Sequence, residues 1–180
     1  MPNFNKVYAA GLRNGYIKTS DGTRYDINAI ISIEGDPTQD DTEIKGDDTL
    51  KAVFSSGRRE EITINANGLT MDTITAISGN AQTSSASGTQ VPVGTQAELN
   101  PPYVEVGGEV NGRADDGTAV VVWKVWHKVQ LNRTKVNMAN ESEFSVEITG
   151  LATQTDTDIV AAALSPARVA TLGVRAGQVD

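Results

Sequence analysis

The chain has one histidine, His127, and no cysteine, so imidazole chemistry rests on a single position and thiolate chemistry on none. His127 lies in GTAVVVWKVWHKVQL, residues 117–131, together with both tryptophans, Trp123 and Trp126. A Ser-His-Asp arrangement needs an activated nucleophile, and no G-x-S-x-G turn or comparable stretch is present. A zinc site needs further imidazole or thiolate ligands, which the chain lacks. The second chemical cluster is acidic. Asp36, Asp40, Asp41, Glu43, Asp47 and Asp48 crowd into EGDPTQDDTEIKGDDT, residues 34–49. These are hard oxygen donors of the kind calcium takes, but the D-x-D-x-D-G spacing with a terminal glutamate is missing. Arg58 and Arg59 are too few for a phosphate patch. The glycines of GGEVNG and of residues 78–102 lack the following helix that a nucleotide-binding loop requires. The expectation is a protein that is not an enzyme and carries no metal and no cofactor.

The element around His127 reads as a strand. Strict alternation puts Ala119, Val121, Trp123, Val125, His127, Val129 and Leu131 on one face, and Val120, Val122, Lys124, Trp126, Lys128 and Gln130 on the other. On that count His127 is a satisfied core residue. Lys124, Trp126 and Lys128 then point outward, where either the lysine stems flank an exposed ring or the face meets the helix or a neighbouring subunit.

Alternation recurs along the chain. Ala29, Ile31 and Ile33 share a face, as do Leu50, Ala52 and Phe54, then Ile62, Ile64 and Ala66. Val104, Val106 and Val110 form a fourth set, Phe144, Val146 and Ile148 a fifth, and Ile159–Leu164 reads as a more buried strand. Asp-Gly turns in Ser20–Arg24 and Ala114–Thr118, with a weaker signal in Ser55–Arg59, join consecutive strands as antiparallel hairpins. One helix is expected within residues 68–80. Thr70 is its N-cap, Asp72 sits at the positive end of its dipole, and Gly79 follows its C-terminus. Met71, Ile74 and Ile77, with Leu69 just outside, form the stripe it must bury. Residues 34–49 and 78–102 read as long loops. The organisation is one β domain over 1–164, then a C-terminal arm or tail over 165–180.

At 180 residues and 19.0 kDa the chain suits one domain, and its net charge of −8 with pI near 4.6 argues against a nucleic-acid-gripping surface. No 18-residue apolar run is present, and MPNFNKVYAAGLRNG does not read as a signal peptide. Asn132-Arg-Thr and Asn140-Glu-Ser are then chance sequons, and folding in the cytoplasm is the simplest expectation.

Two segments carry a family resemblance. In GDDTLKAVFSSGRREEITINANGLTMDTITAISG, residues 46–79, a hairpin feeds a short helix ending in ITAISG. In PPYVEVGGEVNGRADDGTAVVVWKVWHKVQLNRTKVNMANESEFSVEITGLAT, residues 101–153, an antiparallel pair turns at Asp-Gly before KVWHKVQL and a final strand. In pattern and order, over more than half its length, the chain resembles the phage major tail protein, the tail-tube subunit of long non-contractile tails.

The resemblance implies a mainly-β fold, an antiparallel sandwich or curled sheet with one short flanking helix. It further implies self-assembly into stacked, hexameric rings that form a virion tail tube for DNA delivery, built in the host bacterial cytoplasm. The partners implied are other copies of the chain, tape-measure, terminator and baseplate or tip proteins, with DNA as non-specific cargo. Residues 34–49 then resemble the family's inter-ring arm, so Asp36, Asp40, Asp41, Glu43, Ile44, Asp47 and Asp48 join Lys124, Trp126 and Lys128 as expected inter-subunit contacts. A different reading of the same short strands is an immunoglobulin-like or carbohydrate-binding sandwich. The missing signal peptide and the few aromatic residues weigh against it.

Overall fold

A computed structural model describes residues 7–27, 29–46, 49–92, 95, 99–137, 145–153 and 170–176. The fold is mainly β, with one helix among the described residues. The elements are β1 (Val7–Thr19), β2 (Arg24–Asp26), β3 (Ile30–Gly46), β4 (Thr49–Ala66), α1 (Met71–Ser78), β5 (Thr83–Ser85), β6 (Gly88–Gln90), β7 (Tyr103–Ala114), β8 (Ala119–Asn137), β9 (Ser145–Thr153) and β10 (Ala170–Ala176). One sheet runs β2-β1-β7-β8-β9-β4-β3, with β10 pairing β8 off that path, while β5 and β6 form a separate hairpin. Every pairing is antiparallel. β9 pairs the second half of β8 and β10 the first half.

The sheet curls so that its two ends meet around a core. Ile17, Ile62, Ile64, Val106, Val129, Ile148 and Ala152 are fully buried, with Ile77 of α1 above them. Burying each of the larger aliphatic chains is worth about 1.5–3 kcal/mol. Ile30 and Ile33 of β3 close over this cluster. Ile30 packs where Gly15 of β1 lacks a side chain, and Ile33 lies against Gly108 of β7.

The turn chemistry read from the sequence appears at both strong sites. Thr19 and Asp21 hold the β1–β2 turn, where Asp21 accepts from the Thr23 N–H at 2.9 Å. The β7–β8 turn closes with Gly117 N–H donating to Ala114 at 2.9 Å. α1 begins at Thr70, whose hydroxyl accepts from the Thr73 N–H, and ends at Gly79 with φ 71°, a left-handed cap that glycine adopts at little cost. The buried face is Thr73 and Ile77, however, while Met71 is 45% exposed. Ile74 is only half-buried, so the expected stripe is rotated by part of a turn.

Four further expectations are corrected. Residues 34–46 are not a loop: β3 and β4 pair from Ile30↔Ala66 out to Gly46↔Thr49, a long two-stranded ladder. Ser55–Arg59 is not a turn but a shift in that ladder, between Thr38↔Arg59 and Asp40↔Ser56. A second shift, between Ile30 and Ser32, breaks the alternation at the start of β3, leaving Ile31 55% exposed while Ile30 and Ile33 pack inward. Part of the expected C-terminal arm or tail, residues 170–176, is a sheet strand. The expected strand at Ile159–Leu164 lies outside the described residues, as do Phe144 and the side chains of Leu50, Ala52 and Phe54.

The rotation of α1 and the buried row of β4 make a paired expectation. Ile64→Ala removes a fully buried side chain and costs about 2–5 kcal/mol, whereas Ile74→Ala costs clearly less. Urea denaturation of both variants measures the contrast, and equal losses would overturn this packing.

Candidate functional site

Two polar clusters and one projecting ribbon stand out, and one irregularity in β8 positions both clusters. Val106 pairs Trp126 and Val104 pairs Val129, so β8 spends one more residue than β7 over the same span. Such a bulge reverses the facing of every side chain beyond it. Trp126 and Val129, which strict alternation puts on opposite faces, therefore both enter the core, at 3% and 0% exposure. His127 is turned to the opposite side. This corrects the sequence reading on both residues: His127 is not in the apolar core, and Trp126 does not point outward to a neighbour.

The inner cluster joins β8 to β3 and β4. Glu60 shares the alternation of Ile62 and Ile64, so its carboxylate projects into the polar end of the core. Its Oε2 accepts from Trp126 Nε1 at 2.5 Å and from Lys124 Nζ at 3.0 Å. The Lys124 ammonium also lies 4.4 Å from the Trp126 ring centroid, a cation–π contact. The indole rests on bare backbone: a Cβ on Gly35 would stand 2.7 Å from both Trp126 Cζ2 and Glu60 Oε2. Lys124 and Trp126 thus act together, within one chain.

The outer cluster joins β1, β2, β7 and β8. His127, with its side chain 8% exposed, sets Nδ1 3.2 Å from Glu105 Oε2. The Tyr16 hydroxyl donates to Glu105 Oε1 at 3.1 Å. The Arg24 guanidinium lies 4.3 Å above the Tyr16 ring and pairs with Asp26 at 2.7 Å. The hydrogen bond from His127, then that from Tyr16 and the charge of Lys18, hold the Glu105 carboxyl below its ordinary range against its partial burial. Burial first, and then the Glu105 charge, push the Tyr16 phenol far above its ordinary range. The carboxylate therefore stays ionised and the phenol stays protonated at neutral pH, the combination in which both hydrogen bonds form. A cavity of about 330 Å³ opens beside this cluster, lined by Lys18, Thr19, Ser20, Tyr103, Glu105 and His127. Lys128 stands apart from Lys124, with its ammonium 5.0 Å from the Tyr103 ring centroid. The expected outward row of Lys124, Trp126 and Lys128 is thus not formed.

The ribbon is the outer part of the β3–β4 hairpin. β9 accompanies β4 only from Ala66 to Arg59, and from there the two strands pair with each other alone among the described residues. Asp36 is exposed near its base. Asp40, Asp41, Glu43 and Ile44 occupy β3 opposite Ser56, Ser55, Val53 and Ala52. Asp47 and Asp48 lie outside the described residues. Among the described residues, no three His, Asp or Glu side chains converge as metal ligands, and no helix is long and apolar enough to cross a membrane.

Glu60, Glu105 and Tyr16 are the site residues that sequence reasoning missed. Glu60 had a usable signal, a carboxylate in phase with the buried isoleucines of its own strand. Glu105 and Tyr16 had none, because their partner His127 reaches them only through the bulge. Searches against known families and curated proteins gave no matching family and no matching relative.

Two outcomes follow from these clusters. Because the folded-state pKa of Glu105 is depressed, its contribution is complete above its ordinary value and lost as pH falls through the folded value. Glu105→Gln should lower the melting temperature at pH 7, and the gap to the wild type should close towards pH 3. A gap that stays constant with pH would show that ionisation of Glu105 contributes nothing. Gly35→Ala should displace the Trp126 ring at a cost of about 1–3 kcal/mol, read as a shift in tryptophan emission together with a lower melting temperature.

Proposed function

We propose that the protein is a self-assembling structural subunit of the phage tail-tube type, closing into rings that stack into a channel for DNA. The observation that carries this reading is the β3–β4 ribbon. It continues for ten residues of β4, from Arg58 to Thr49, beyond the last pairing with β9 at Arg59, a path of about 33 Å at about 3.3 Å per residue. An isolated two-stranded ribbon is marginal in water, so one this long gains its order from a surface it packs against.

The open sheet supports the same reading. Its path ends at β2 on one side and at β3, a 17-residue strand, on the other. Long unpaired edges invite pairing with another chain, and a closed ring of copies removes them. Where such a contact is heterologous and the rotation closes, a ring results; where it does not, the copies stack without limit. The net charge of −8 suits a lumen that repels the DNA backbone and lets it slide. In this reading the chain needs no catalytic group, and the Tyr16–Glu105–His127 chain ties β1, β7 and β8 together. Tape-measure, terminator and baseplate or tip proteins are the further partners.

Negative-stain electron microscopy and sedimentation velocity on the concentrated protein test this directly. The full chain should give rings or tubes. Replacing Asp40–Gly57 by Asn-Gly, which closes the hairpin just beyond Thr38↔Arg59, should leave a folded subunit that forms no tubes. Monomers alone from the full chain, or normal tubes from the shortened one, would overturn the reading.

A further inference from the structure

The two ends of the sheet differ. β7 stops pairing β8 at Tyr103↔Gln130, because Pro101 and Pro102 precede it and proline offers no N–H to a ladder. β8 continues to Asn137 with β9 on one side. Among the described residues no strand takes its other side. That open edge faces α1 across a groove of about 530 Å³, lined by Met71, Ile74, Val91, Leu131, Arg133 and Val136. Val136 is 47% exposed and Met71 45%. An open strand edge beside an apolar groove is the arrangement that accepts an added strand: main-chain hydrogen bonds hold it, and alternate side chains enter the groove.

We infer that this edge receives the β3–β4 ribbon of a second copy, as the axial contact between stacked copies. The inference rests on the assembly reading and names its receptor surface. The registers place the two parts at opposite ends of one chain. Ala66 of β4, Val146 of β9 and Val136 of β8 lie abreast at the groove end, whereas the ribbon leaves the sheet past Arg59↔Thr153 at the other end. A ribbon therefore cannot fill its own groove. Copies stacked head to tail along the strands bring one copy's ribbon to the next copy's groove, a contact that repeats without closing.

Charge agrees with this pairing. Beyond Thr38↔Arg59 the ribbon, residues 39–58, has Asp40, Asp41, Glu43, Asp47 and Asp48 against Lys45, Lys51 and Arg58, and all five carboxylates fall within residues 40–48. The receiving edge offers exposed Arg133 and Lys135. Glu147 stands across the ladder from Lys135, and uncharged Thr149 from Arg133, so Arg133 is the cation that the ribbon's carboxylates meet.

The test is Arg133→Glu, with Val136→Lys as an independent variant in the groove, each confirmed folded by circular dichroism and imaged beside the wild type. Both should yield rings that do not stack. Adding Asp41→Arg and Glu43→Arg to Arg133→Glu should restore tubes. Wild-type-like tubes from either groove variant, monomers in place of rings, or failure of the charge exchange to restore stacking would each overturn the axial contact. A wild type that never assembles would overturn the assembly reading itself and this contact with it, so the two failures are distinguishable.

Discussion

Trp126 lies against the bare backbone of Gly35 and donates its indole N–H to Glu60, and this contact holds β3 and β4 over β8. It brings the far end of the sheet back over its middle. The isoleucines of β3 and β4 then share one core with Val106, Val129 and Ile17. An open antiparallel sheet with nothing drawn across it would leave one face wet. Here the part-buried carboxylate of Glu60 costs little, because an indole N–H and an ammonium satisfy it, whereas an unpartnered one would be destabilising.

That contact exists only because β8 contains one residue more than β7 between Trp126 and Val129. The same extra residue turns His127 out to Glu105, so a single irregularity supplies both the inner clamp and the outer chain of hydrogen bonds. Bulges bend the strand that contains them and strengthen its local twist, which suits a sheet that must curl. The outer chain fastens β1, β7 and β8 where Tyr16 lies against Gly107, whose missing side chain leaves room for the ring.

The curled body and the projecting ribbon are complementary. The body anchors residues 59–66 of β4 between two strands, β3 and β9, and this gives the ribbon a fixed root from which to extend. At the opposite end Pro101 and Pro102 end β7 early, and among the described residues no strand takes that edge of β8 beyond Gln130. In the assembly reading, these two local interruptions of regular pairing give one subunit a projecting and a receiving part.

Residues 62, 64 and 66, Val104 and Val106, and Val146 and Ile148 behave as their alternation requires, because a half-buried strand imposes period two on its own sequence. The Asp-Gly turns and the capped helix were legible for a similar reason: glycine, aspartate and threonine act on backbone within a few residues. The acidic stretch is not legible as strand, since residues 34–46 carry no apolar alternation of their own, although Leu50, Ala52 and Phe54 mark the partner strand β4. The facing of Trp126 and His127 was misread because a bulge has no local signature here.

The sequence by itself determined the mainly-β class, the hairpin connections and most of the buried row, all set by interactions between near neighbours in the chain. The tertiary structure alone decided which face of β8 is inside, where Glu60 and Glu105 find their partners, and which strand edges remain open. Those depend on the register between strands, including the one extra residue of β8 against β7, which no stretch of a few residues specifies. A shift of one residue in that register exchanges inside for outside.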